Sequence, residues 1–160
     1  MTLFRLTTGQ WGKALGLGLL NGVALAIIMV VALKTGVSPL PKPLALAFVD
    51  TLTGQHMPLP VGLVFHLAYV TFWTTVYAVW AFPRFSPGKA LALGLALWIL
   101  LLVVFLPVVG WGLLGLAVSP KLIVAFLINH LLFALFAWGL CRWGFRGVTA
   151  QRGGGTAGSS

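Results

Sequence analysis

Four runs of about 20 apolar residues, each long enough to cross about 30 Å of hydrocarbon, constrain this chain more than any other feature. They cover Ala14–Leu33, Val61–Phe82, Lys89–Val108 and Lys121–Leu140. In hydrocarbon every backbone N–H and C=O must be paired within the segment, so such runs form helices. The expected fold is an all-α membrane protein, a four-transmembrane-helix bundle forming one domain over 1–146. Composition leaves no other solvent, since the 160 residues are 60% hydrophobic and 7% charged. A soluble domain carries about 25% charged residues. Arg5 and Lys13 precede the first run, as in a signal peptide. That run is too long for an h-region, however, and "ALKTGVSP" offers no A-x-A cleavage site, so we expect a retained helix.

A net charge of +9 would suggest a nucleic-acid partner in a soluble protein. Here the basic residues sort by side. Arg5, Lys13, Arg84, Lys89, Arg142, Arg146 and Arg152 fall on one side, and Lys34, Lys42 and Lys121 on the other. The positive-inside rule then puts both termini in the cytoplasm of a bacterial inner membrane. Trp11, Trp80 and Trp143 fall near the cytoplasmic interface and Trp111 near the outer one, as in an aromatic belt. No basic run is interleaved with aromatics on a polar face, so the expected partners are the lipid bilayer and other membrane subunits, with no nucleic acid. The single cysteine, Cys141, rules out an internal disulfide. It reads as a small packing residue, with palmitoylation beside Arg142 as the alternative.

The connections differ in character. "PRFSPGK", Pro83 to Lys89, is a short turn that predicts antiparallel neighbours for the second and third helices. "VGWGLLGLAVSP", Val109 to Pro120, reads as an apolar loop packed on the outer end. The outer loop from Lys34 to Pro60 contains "LALAFVDTLTG", which fits a short interfacial helix with Asp50, the only acid, on its wet side. The small, polar segment 147–160 reads as a disordered tail. Within the bilayer, helices associate through small residues and interhelical hydrogen bonds. Ala14, Gly18, Gly22 and Ala26 form such a stripe, which fits packing inside the bundle better than homodimerisation. Asn21 beside it should point inward, and Ala90 and Gly94 form a shorter stripe on the third helix.

A histidine interrupts each of two matching apolar segments, His66 in "LVFHLAYVTFW" and His130 in "LINHLLFALFAWGL". Aligning them pairs Leu67 with Leu131, Tyr69 with Phe133 and Phe72 with Phe136. The helices run in the same direction, so the chain reads as two helix-pair repeats in parallel topology. His66 lies six residues after Pro60 and His130 nine after Lys121, a depth difference of roughly 5 Å. Three uses of the pair stay open at this point. Each imidazole could bridge helices through a carbonyl, a threonine or Asn129. Both could ligate a haem b iron, with Tyr69, Trp73, Phe126 and Phe133 lining the porphyrin and Lys121, Lys34 or Lys42 meeting its propionates. Together with His56 and Asp50 they could serve a metal ion or a proton path. Catalysis is poorly provided for: one acid is available, and no span holds a serine. Thr71, Thr74 and Thr75 fit back-bonding to their own helix.

The segments "KTGVSPLPKPLALAFV", "PVGLVFHLAYVTFW", "FLPVVGWGLLGL" and "INHLLFALFAWGL" resemble a family of small four-helix bacterial integral membrane proteins for which no activity is established. The family pattern has a glycine-rich first helix, a histidine in each of helices two and four, and an F-x-P-x-x-G-x-G-x-x-G turn after helix three. Phe105 to Gly115, His66 and His130 match it. Tyr69 and Phe133 depart from it, standing where many relatives have glycine. The resemblance implies the four-helix architecture and no chemistry. The expected role is an accessory or binding subunit without catalytic activity of its own, within a larger membrane assembly. The alternative is a bis-histidine haem-binding electron carrier.

Overall fold

The structure, a computed structural model, describes residues 6–147. Arg5, Arg152 and nearly all of the polar tail therefore lie outside the described residues. Every regular element among the described residues is a helix.

Helix α1, Thr8–Lys34, starts at a capping box: the Thr7 hydroxyl accepts from the Gln10 N–H, and the Gln10 side chain accepts from the Thr7 N–H. A short helix, α2, covers Leu44–Thr53 and stops at Gly54, whose φ of 66° suits a residue without Cβ. Helix α3 is Leu59–Ala81, with Pro60 in its first turn, where a missing N–H costs nothing. Helix α4 is Pro87–Val108, and α5 is Lys121–Gly144. α1, α3, α4 and α5 are each long and apolar enough to cross a membrane. They coincide with the four apolar runs of the sequence and mostly extend a few residues beyond them, although α3 stops at Ala81, one residue short of the expected Phe82.

One irregularity was not visible in the sequence. Leu101–Phe105 of α4 is a π turn, in which the Leu106 N–H reaches the Leu101 carbonyl. Two residues later stands Pro107, whose ring clashes with the carbonyl of a regular helix four residues back. Widening the preceding turn accommodates the ring and lets the helix run on to Val108 before it ends.

Pairing of the helices follows their small residues. A Cβ on Gly18 would stand 2.8 Å from the Thr71 carbonyl oxygen, and one on Gly22 would stand 3.1 Å from Leu67, so α1 lies close against α3. A Cβ on Gly94 would stand 2.8 Å from the His130 carbonyl oxygen, so α4 lies equally close against α5. α1 also meets α5 at one end, where Leu17 packs on Gly144 and the Lys13 ammonium donates to the Gly144 carbonyl at 3.0 Å. The order around the bundle is thus α3, α1, α5, α4. The second and third spans, α3 and α4, are therefore not the close neighbours that their short connection predicts. Between their linked ends the aromatic rings of Phe82 and Phe85 receive Phe145 from α5, with centroids 5.8 and 5.3 Å away.

The interior has two parts. The first, at the end where α1 begins and α5 finishes, gathers Tyr77, Ala78, Ala137, Cys141 and Phe145, all 0% exposed. Cys141 is thus a packing residue, sealed from any acylating enzyme. At the other end Leu102, Leu106, Leu122 and Phe126 enclose Trp111. Trp111 is 7% exposed, so it belongs to this core and not to an aromatic belt, whereas Trp80 and Trp143 are 51% and 64% exposed. Its burial comes from the 109–120 loop folding back onto the bundle, with Gly115 (φ 77°) allowing close approach to Leu106 and Leu122. Asn21 points inward as expected and donates to the Thr74 hydroxyl at 3.0 Å, joining α1 to α3. Thr75 back-bonds to the Thr71 carbonyl at 2.8 Å.

Candidate ligand site

Between the four long helices, in the half of the bundle capped by α2, lies a cavity of about 160 Å³. His66 and His130 both line it, together with Tyr69, Phe126, Phe133 and Asn129. Helix α1 adds Leu25, Ile28, Met29 and Ala32, and α4 adds Leu97, Leu101 and Phe105. The two histidines singled out by the internal echo therefore meet in one site. Each stands on a helix that a glycine of the preceding long helix approaches closely. Gly22 meets Leu67 and Val70, and Gly94 meets His130 and Ala134. Val70 and Ala134 are both four residues beyond their histidine, so the two glycines occupy equivalent places in the two helix pairs.

The rest of the cavity wall was not legible in the sequence. Phe105 closes the side between α3 and α4, with its ring centroid 5.8 Å from Tyr69 and 5.0 Å from Phe48. The π turn sits in this wall and supplies Leu101 as well as Phe105. The cover at this end is α2 with the chain before it, through Ser38, Leu40, Leu44, Ala45 and Phe48. Gly62 permits this, because a Cβ there would stand 2.7 Å from the Leu46 Cβ. On the side between α1 and α5, Ile28, Met29 and Asn129 line the cavity while keeping part of their surface exposed. Trp73, expected among the lining residues, does not line the cavity and stands behind Tyr69, with ring centroids 6.3 Å apart.

Hydrogen bonding distinguishes the two imidazoles. His130 Nδ1 donates to the Phe126 carbonyl of its own helix at 2.7 Å, and Asn129 likewise donates to Ala125 at 3.1 Å. Neither side chain bridges helices, which corrects that reading for α5. His66 lies against the backbone of Gly22 on α1, and its Nε2 is buried without a hydrogen-bond partner. Leaving a buried polar atom unpaired costs about 1–3 kcal/mol.

Asp50 and His56 belong elsewhere. Asp50 accepts from the Lys42 ammonium at 2.7 Å and from the Met57 N–H at 2.8 Å, and His56 Nδ1 lies 3.8 Å from it, fully exposed. These bonds hold the Asp50 carboxyl below its ordinary pKa. They tie α2 to the chain on both sides of it. Asp50 and His56 face a separate shallow groove with Trp111, and His66 and His130 are not among its lining. The four groups invoked for a metal or proton path are thus divided between two places. No cluster of three or more His, Cys, Asp or Glu side chains able to hold a metal occurs among the described residues.

The four long apolar helices make this an all-helical, multi-pass membrane protein, and the cavity between them is partly open, mostly apolar and carries two imidazoles. No protein-family model, curated protein or solved structure matches the chain.

Proposed function

We propose that this protein is a small inner-membrane binding subunit of a bacterium, holding a ligand in the cavity between its four long helices and performing no catalysis of its own. The observation that carries this reading is the convergence of His66 and His130 on one apolar cavity. Cavities within helix bundles, built from side chains on facing helices, are ordinary sites for ligands and cofactors. The binding role is favoured over a catalytic one because the only acid is held at the surface by Lys42 and Met57. Assembly with other membrane subunits is part of the proposal. The basic residues support a cytoplasmic location for both termini. A Gln55→Cys label site in a Cys141→Ala background should then react with an impermeant maleimide from outside the cell, and one at Arg84 should not.

The bis-histidine haem reading has one observation in its favour. With Nδ1 of His130 bound to a carbonyl, Nε2 is the free nitrogen, as in many metal-ligating histidines. Volume argues against it. A cavity of about 160 Å³ is suited to a single aromatic ring, since one of about 150 Å³ takes benzene. A porphyrin carries four linked pyrroles and does not fit. A visible spectrum of the purified protein from haem-supplied cells, oxidised and then dithionite-reduced, decides between the readings. We expect it to be flat. A Soret band lost in both His66→Ala and His130→Ala would establish haem ligation instead.

A further inference from the structure

We propose that the cavity ligand is the head ring of a neutral, membrane-soluble hydroquinone: a single ring carrying hydroxyls, with an apolar tail that leaves between α1 and α5. This rests on the cavity being a ligand site, and four features of that cavity narrow the chemistry.

The first is charge. No Lys, Arg, Asp or Glu lines the cavity. A buried charge without a partner is strongly disfavoured, so carboxylates, phosphates and ammonium compounds are excluded. The second is size. About 160 Å³ admits one aromatic ring, and Phe126, Phe133 and Phe105 supply aromatic walls for it. The third is the sense of the hydrogen bonds. A carbonyl only accepts, so His130 Nδ1 carries the proton, and in the neutral ring Nε2 is an acceptor. Asn129 spends an N–H on Ala125 and keeps its carbonyl oxygen as a second acceptor. Tyr69 also lines the cavity and brings a hydroxyl that can donate or accept. A ring hydroxyl both donates and accepts, and so meets each of these groups. A hydrocarbon ring would satisfy none of them. The fourth is access. Phe105 stands in the wall toward α3 and α2 covers one end, while Ile28 on α1 is the one exposed residue of the lining, at 36%. A ligand arriving from lipid has its way in there, and a tail attached to the ring has its way out.

The test is equilibrium binding to the purified full-length protein in detergent, by calorimetry, with three compounds. They are a decyl-substituted single-ring hydroquinone kept reduced under argon, its dimethyl ether, and benzene. The hydroquinone should bind saturably at one site and the ether at least about tenfold more weakly, because a site built to bond a hydroxyl rejects the analogue lacking it. Leu97→Trp, which fills the cavity, should abolish binding. Ile28→Trp at the partly exposed edge should weaken it and serves if the interior variant does not fold. Equal binding of hydroquinone and ether would overturn the ligand class while leaving the cavity as a site, as would binding of benzene alone. Failure of all three compounds would overturn both this proposal and the binding function beneath it.

Discussion

At the scale of single residues, glycine positions decide how closely the helices approach. In lipid no hydrophobic force drives helices together, so close backbone contact carries much of the association. Gly94→Ala would place a methyl 2.8 Å from the His130 carbonyl oxygen and 3.2 Å from the Ala134 Cβ. The backbones must separate, and overpacking of this kind costs about 1–3 kcal/mol. Gly16→Ala, on the same type of helix but with nothing within 4 Å, should be neutral or slightly stabilising. Unfolding in mixed detergent micelles compares them, and equal stabilities would refute the packing assignment. Asp50 gives a second residue-scale prediction. Its carboxyl is held below the ordinary 3.8, first by the Lys42 hydrogen bond and then by the Met57 N–H. A depressed folded-state pKa means the carboxylate's stabilising contribution is complete above the unfolded value and is lost as pH falls through the folded one. The Met57 amide resonance should therefore titrate with a midpoint below 3.8, and Asp50→Asn should abolish that titration. A midpoint at or above the ordinary value would show that the latch does not form.

Among the elements, α2 is the one whose role the sequence half disclosed. The run "LALAFVDTLTG" announces a short amphipathic helix near the interface, and Gly54 ends it. That it would lie on α3 and cover a cavity depends on Gly62, a residue in another segment whose importance shows only when Leu46 is seen 2.7 Å from its missing Cβ. Gly62→Leu should push α2 from the bundle and raise amide exchange across Leu44–Thr53 while leaving α1 and α5 protected. Uniform exchange in variant and parent would mean that α2 is held by other contacts. The π turn in α4 was likewise illegible. Pro107 marks the end of the third apolar run plainly, but hydrophobic periodicity does not tell whether the turn before a proline kinks or widens. Turn length misled in another way. The short link from Pro83 to Lys89 constrains only two helix ends, whereas Gly18, Gly22 and Gly94 act along the helices and pair α1 with α3 and α4 with α5.

For the whole molecule, two helix pairs carry a histidine each, and the bundle brings the two together. Gly22 against Val70 and Gly94 against Ala134 repeat the same contact one turn past each histidine, which fits the parallel repeat read from the segment echo. The repeat is inexact, because α1 meets α5 more extensively than α4 meets α3. The four spans were legible because their length and apolarity are set by the bilayer alone. The shared cavity was only partly so. The echo pointed to His66 and His130, but helix rotation, the cover by α2 and the wall formed by Phe105 are properties of the packed bundle. The shared cavity is tested most directly by a ring-nitrogen NMR titration of the detergent-solubilised protein with the decyl-substituted hydroquinone, each histidine assigned by its glutamine variant. The account predicts that His66 and His130 shift together along one saturation curve while the fully exposed His56 stays still. Separate curves, or movement of only one of the two, would contradict a shared cavity.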